Sequence, residues 1–348
     1  MRGETEMNTV YCKINGSCDD EAAISEAGRI IREGGLVAFP TETVYGLGAS
    51  AFSPTAAEKI YAAKGRPSDN PLIVHVASPA EAEAVAFTSP LYYALAEKFM
   101  PGPLTVIMPK RDSVPGTVTG GLDTVAVRCP ANEIARRLIN AAGVPIAAPS
   151  ANRSGKPSPT SASHVKHDMD GRIDMLIDGG DCDIGVESTV VTVADGKCTV
   201  LRPGAVTEEM LSEVFASVSV DRAVTDPNLA GEHPESPGMK YKHYAPNAAV
   251  ILVDADVDSF VNYVNGNAGE RDAVFTSKKD SGKFNCTLLV TGETGSPAEL
   301  SHSLYSLLRR ADELSLEKVY IKAPPKSGEY LALYNRLIRA AAGKITKP

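Results

Sequence analysis

Gly34-Gly35-Leu36-Val37-Ala38-Phe39-Pro40-Thr41-Glu42-Thr43-Val44-Tyr45-Gly46-Leu47-Gly48 is the stretch from which the fold is read. Leu36–Phe39 is a short apolar run, as a buried strand presents, and Pro40 stops it because proline brings no N–H to a ladder. Upstream, Ile24, Ala27, Ile30 and Ile31 recur at helical spacing over residues 20–33. Asp19 or Asp20 can cap that helix, and Gly34-Gly35 ends it. Downstream, Pro40–Gly48 sets polar side chains between a proline and glycines just past a strand end, where α/β proteins hold ligands. Taken alone, the same run also fits a tight turn.

The alternation continues outward. Ser53-Pro54 opens a helix, proline at its first position, that runs to Lys64-Gly65. Residues 72–76, 104–108, 124–128, 145–148, 174–177, 188–193 and 198–202 read as strands, and 90–99 and 131–142 as helices. This mixture predicts an α/β or α+β layer fold with a mixed sheet. Over 220–247 the chain turns rich in Pro, Asp, Asn, Glu and Gly and loses periodicity, as a linker does. Strands at 250–253, 273–276, 286–290 and 318–322 then alternate with helices at 256–264, 297–313 and 328–342, a small open α/β unit. A chain of 348 residues exceeds one ordinary core. The expected domains are 1–217 and 248–348, joined by a linker and lid at 218–247.

Hydrophobic residues make up 43% and charged residues 22%, which excludes disordered and fibrous classes. The chain has no apolar run of about 18 residues, so no membrane-spanning helix is expected. Residues 1–6 are polar and mixed in charge, unlike a signal peptide. The six cysteines form no CxxC pair; reduced thiols are expected, with a Cys12–Cys18 disulfide as the alternative. These features point to a cytoplasmic protein. The net charge of −8 argues against wrapping nucleic acid by bulk charge. Any polyanion must meet a local cluster, drawn from Lys64, Arg66, Lys110, Arg111, Arg128, Arg153, Lys156 and Arg202.

There is no P-loop, no Rossmann glycine fingerprint, no Ser-His-Asp order and no HExxH helix. Lys64 and Arg66, in the loop 64–71, suit phosphate oxygens, although cations at a helix C-terminus are favourable in any case. His75 sits in an apolar strand, where a histidine is as readily a core residue as a ligand. Residues 147–160 gather hydroxyls, amides and two cations past a buried strand, with Thr160 as cap of the next helix. Gly185–Thr189 and Leu201–Gly204 are two further strand-end loops. His164 and His167 lack a third ligand, and no metal-ligating set is predicted. Many loop hydroxyls and cations without a nucleophile imply a reaction run by positioning and charge stabilisation, chiefly by Lys64, Arg66 and Arg202.

Ala38–Gly48, Lys64-Gly65-Arg66-Pro67, Asn70-Pro71-Leu72, Pro101–Thr105, Val127-Arg128-Cys129-Pro130, Ala148–Asn152 and Glu187-Ser188-Thr189, in this order, resemble the YrdC family. The run Ser236–Pro246 is similar to that of the long two-domain form, the L-threonylcarbamoyladenylate synthases. The resemblance implies a twisted mixed sheet with surrounding helices and a basic concave face, plus a smaller C-terminal Rossmann-like domain. It implies synthesis of L-threonylcarbamoyl-AMP from L-threonine, bicarbonate or CO2 and ATP with Mg2+, releasing pyrophosphate. A partner transferase would then modify tRNA beside the anticodon, and weak tRNA contact is conceivable. Position by position, it assigns threonine contacts to Thr41, His75, Arg128, Ala148 and Ser188, with Arg128 on the carboxylate. It assigns ATP contacts to Lys64, Arg66, Asn70, Thr124, Ser150, Asn152, Ser158 and Arg202, and to Tyr241 or Tyr244 from the lid. The alternative is an RNA-binding protein of the same fold without catalysis.

Overall fold

The computed structural model describes residues 8–15, 19–226, 229 and 244–348. Two sheets organise them. The first has eleven strands in the spatial order Val10–Lys13, Met175–Asp178, Val37–Phe39, Gly46–Ser50, Ile146–Ala148, Ile73–His75, Thr124–Arg128, Leu104–Pro109, Thr189–Ala194, Lys197–Arg202 and Val218–Val220. It contains both parallel and antiparallel pairs, so the sheet is mixed as expected.

Strand alternation builds the two faces. Val37 and Phe39 point into a cluster with Ile24, Ala27, Ile31, Leu138 and Ile139, from the paired helices Asp19–Arg32 and Glu133–Ala142. Ala38 points the other way, among Leu47, Ile60, Tyr92 and Val127.

Several expectations are corrected. Gly46–Ser50, taken as loop and turn, is a strand pairing Val37–Phe39 and Ile146–Ala148. Its sequence has poor strand propensity, but a Cβ on Gly48 would stand 2.7 Å from Ile146 and 2.8 Å from the Phe39 ring. Glycine lets the backbone lie flat against those side chains. Val10–Lys13 and Val218–Val220 are edge strands, the latter where the linker was placed to begin. The helix Ala162–Met169 is capped by Ser161, which accepts from His164 N, and not by Thr160.

The second sheet, in the order Thr287–Val290, Asp272–Thr276, Lys318–Lys322, Ala249–Val253 and Ile345–Thr346, is wholly parallel. Helix Pro297–Glu313 opens with a capping box, Ser296 and Glu299. The Glu299 carboxylate also accepts from the backbone N–H groups of Thr294 (2.9 Å), Gly295 (2.7 Å) and Ser296 (3.3 Å). The sheets do not stand apart. Val44 and Val186 of the first unit share one apolar core with Tyr244, Leu304, Tyr305, Leu308, Leu333 and Leu337.

Among the described residues, no helix is long and apolar enough to cross a membrane. Cys12, Cys129, Cys182, Cys198 and Cys286 are free thiols, and Cys18 lies outside the described residues.

Candidate active site

One cleft collects the strand ends and loops singled out in the sequence. Thr41, Lys64, Arg66, His75, Arg128, Ala148, Ser150, Asn152, Ser188, Arg202 and Tyr244 all line it, and it leaves about 60 Å3 for solvent. His75 and Arg128 are register partners on adjacent parallel strands, which is why residues so far apart in sequence meet. Ser188 and Arg202 stand at the open end of the hairpin Thr189–Ala194/Lys197–Arg202, where a register irregularity between Val200 and Arg202 re-aims the arginine. Gly204 follows. A Cβ there would meet Thr189 N at 2.3 Å and Glu187 O and Ser188 C at 2.7 Å, so only glycine lets the two segments close up.

Lys64 ends helix Pro54–Lys64, which Gly65 terminates in the left-handed region. It is not a solvated helix end: its side chain is buried, and Nζ donates to the carbonyls of Ser150 and Asn152, each at 2.6 Å. Arg66 Nη2 donates to the carbonyls of Asn70 and Pro71. Arg202 donates through Nε to Ser188 O and through Nη2 to Ser188 Oγ, both at 3.1 Å. The Ser188 and Thr105 hydroxyls lie 2.8 Å apart. Thr41 Oγ1 closes its own turn, donating to Val44 O at 2.6 Å and accepting from Val44 N.

Crowding cations in a buried site has electrostatic consequences. Burial, then the neighbouring Arg66 charge, holds the Lys64 ammonium well below its usual range. Burial lowers Arg66 to about 10 and also lowers Arg202. Burial, then Arg128, depresses His75 to about 3, so its ring is neutral at neutral pH. His75 Nδ1 lies 3.1 Å from Ile73 O; a neutral ring donates there and keeps its lone pair on Nε2.

Arg128 was assigned to a substrate carboxylate. Here a protein carboxylate stands by it: Nη2 lies 2.7 Å from Glu42 Oε1, and both groups are buried. Despite burial, the Arg128 charge holds the Glu42 carboxyl below the usual carboxylate range. Arg128 Nη1 donates to Thr43 Oγ1 at 2.9 Å.

Not every assigned residue reaches the cleft. Ser158 donates to Oε1 of the cleft-wall residue Glu187 at 2.5 Å. Thr124 starts the strand that ends in Arg128, some four residues or roughly 13 Å from it, and lies outside the cleft wall. Asn70 stands behind Arg66, fully buried, with neither amide atom hydrogen-bonded. Tyr241 lies outside the described residues. Tyr244 lines the cleft at φ 66°, its ring stacked on Tyr305 at 5.4 Å.

Thr43 and Glu187, to which sequence reasoning assigned no role, and Lys156, counted there only as a candidate cation, also line the cleft; Glu42 was missed as the partner of Arg128. Sequence reasoning also missed the second unit's contribution. Arg336 pairs with Glu187, and Arg309 pairs with Asp168 at 2.7 Å behind the loop that carries Lys156. Asn335, Arg336 and Arg339, polar residues set among the apolar ones of Leu331–Ala340, were the available signal. Among the described residues, no three His, Cys, Asp or Glu side chains converge as a metal site.

Comparisons with known proteins show the family. Residues 29–204 match the Sua5/YciO/YrdC family, described under telomere recombination, and residues 206–342 match the C-terminal domain of threonylcarbamoyl-AMP synthase. The threonylcarbamoyl-AMP synthase of Bacillus subtilis is 43% identical over 94% of this chain and 95% of its own. That of Pyrococcus abyssi is 44% identical over 94% and 96%. The crystal structure of P. abyssi Sua5 complexed with L-threonine superposes with a TM-score of 0.89 at 41% identity, covering 98% of this chain and 99% of that one.

Proposed function

Because the chain belongs to the threonylcarbamoyl-AMP synthase family, we propose that its cleft makes L-threonylcarbamoyl-AMP from L-threonine, bicarbonate or CO2, and ATP. The observation that carries this is the convergence of buried Lys64, Arg128 and Arg202 and half-buried Arg66 on one cleft. Such a set suits a triphosphate and a carboxylate together.

No protein nucleophile is required. The threonine amine adds to CO2 and loses a proton, giving a carbamate. A carbamate oxygen attacks the α-phosphorus, the bond from that phosphorus to the bridging oxygen breaks, and pyrophosphate leaves with the electron pair. Mg2+ arrives on the ATP phosphates as part of the substrate and shares their charge.

The residues divide between the two substrates. Thr41, His75, Arg128, Ala148 and Ser188 form the threonine side, with His75 Nε2 as acceptor. The substrate carboxylate takes the place of Glu42 on Arg128, one carboxylate exchanged for another. Lys64, Arg66, Ser150, Asn152, Arg202 and Tyr244 form the nucleotide side. Asn70 joins them, its buried amide having unmet hydrogen-bonding capacity. The product passes to a transferase that acts on tRNA, with any tRNA contact of this chain weak. The first unit, extended to Val220 by its edge strand, acts as catalytic domain and residues 248–348 as supporting domain, with the linker and lid between them.

The test is pyrophosphate release from ATP by purified protein, with mass detection of threonylcarbamoyl-AMP from labelled bicarbonate. Release requiring both threonine and bicarbonate is expected. Equal release without threonine refutes the proposal, and salt-sensitive tRNA binding without ATP turnover replaces it with the RNA-binding alternative.

A further inference from the structure

The floor beneath Ser188 and Arg202 is made by the second unit. Arg336, on helix Leu331–Ala340, is fully buried. Its Nε donates to Glu187 Oε2 at 3.0 Å, its Nη1 to Pro203 O at 2.5 Å and its Nη2 to Glu187 O at 3.3 Å. One guanidinium thus holds the residue just before Ser188 and the residue just after Arg202. Tyr305 OH donates to the same carboxylate oxygen at 2.9 Å, while Ser158 takes the other oxygen.

Charge makes this more than a clamp. Glu187 is a buried carboxylate on the cleft wall, next in sequence to the serine that Arg202 holds. Burial raises its pKa, but the Arg336 and Arg202 charges and the Ser158 bond bring it below the usual carboxylate range. An anion at this place has two cations to choose between. One belongs to the scaffold and the other faces the cleft.

We propose that Arg336 is a positioning residue for the nucleotide: by pairing with Glu187 it keeps that carboxylate from competing with the triphosphate for Arg202. This rests on the cleft being the ATP site. Removing Arg336 leaves a buried anion beside the phosphates, repelling them and drawing on Arg202. Removing the Glu187 charge instead leaves the Arg336 charge beneath the floor without its counter-charge, adding to the positive field of Arg202, which favours an anion. A purely mechanical clamp would fail in the same direction whichever partner is lost.

The experiment is calorimetric titration of full-length R336Q, E187Q and E187Q/R336Q with MgATP and, separately, with L-threonine. R336Q is expected to bind MgATP at least about tenfold more weakly, with threonine affinity within about threefold of the parent. E187Q binds MgATP no more weakly than the parent, and the double variant recovers to within about threefold of it. Equal weakening in R336Q and E187Q, or a double variant as weak as R336Q, overturns the proposal. Should R336Q fail to fold, E187Q and the charge-balanced double variant still decide it, because losing both members of a buried pair is better tolerated than losing one. A parent protein that binds no MgATP brings down the cleft assignment and this inference with it, an outcome distinct from R336Q binding as the parent does.

Discussion

Replacing Gly204 with alanine drives a methyl group into the backbone of the neighbouring segment. The new Cβ would lie 2.3 Å from Thr189 N and 2.7 Å from both Glu187 O and Ser188 C. Ordinary contact is about 3.5 Å, so the two segments must separate by about 1 Å. Backbone cannot swing aside as a flexible side chain does, and Ser188 and Arg202 ride on those two segments. A displacement of about 1 Å costs on the order of 100-fold in rate, or about 2.7 kcal/mol of transition-state stabilisation. Overpacking adds about 1–3 kcal/mol of lost stability. The assay is threonine-dependent pyrophosphate release, read as kcat/KM, beside urea denaturation of the same sample. Gly266→Ala is the control: it lies in helix Val257–Asn267 with nothing within 4 Å of its new Cβ. It should gain about 0.5–1 kcal/mol and turn over as the parent does. A folded G204A protein with kcat/KM within about threefold of the parent refutes the reasoning.

Other outcomes follow from the same geometry. Lys64→Met removes a buried ammonium from the cleft and should lower turnover about 100- to 1000-fold with the fold retained, as circular dichroism would show. Arg309→Met strands the buried Asp168 carboxylate and should cost about 3–5 kcal/mol in denaturant unfolding, with D168N/R309M milder than R309M alone. His75 resists protonation down to about 3 in the folded protein, against an ordinary 6.5. Between those values the unfolded chain binds a proton that the folded one refuses, so stability falls as pH drops, by up to about 1.4 kcal/mol per pH unit. Urea midpoints at stepped pH should therefore decline more steeply for the parent than for His75→Asn, and parallel curves would contradict this.

Sequence periodicity reached those strands that are apolar runs, such as Leu104–Pro109 and Thr124–Arg128, because burial on both faces leaves its mark residue by residue. It missed Gly46–Ser50, whose conformation is set by the Phe39 ring and Ile146 and not by its own side chains. It missed Val10–Lys13 and Val218–Val220, short edge strands held by partners. The loop cations were visible since each sits in a marked strand-end or helix-end loop. Their counter-charges were not. Glu42 and Arg128 are 86 positions apart in chain order, and Glu187 and Arg336 are separated by 149. Nothing local to either residue announces such a partner. The family resemblance supplied cleft residues but not the scaffold that holds them, such as the bond from Ser158 to Glu187.

Glu299 bears on how the two units divide their work. Its carboxylate fills the ring of backbone N–H groups at the start of helix Pro297–Glu313, the kind of place where an open parallel sheet receives a phosphate. A tethered competitor acts at an effective concentration of millimolar order or above, whatever the solution contains. A free nucleotide arriving there must displace a ligand that never diffuses away. The second unit thus carries its own resident anion at the start of that helix.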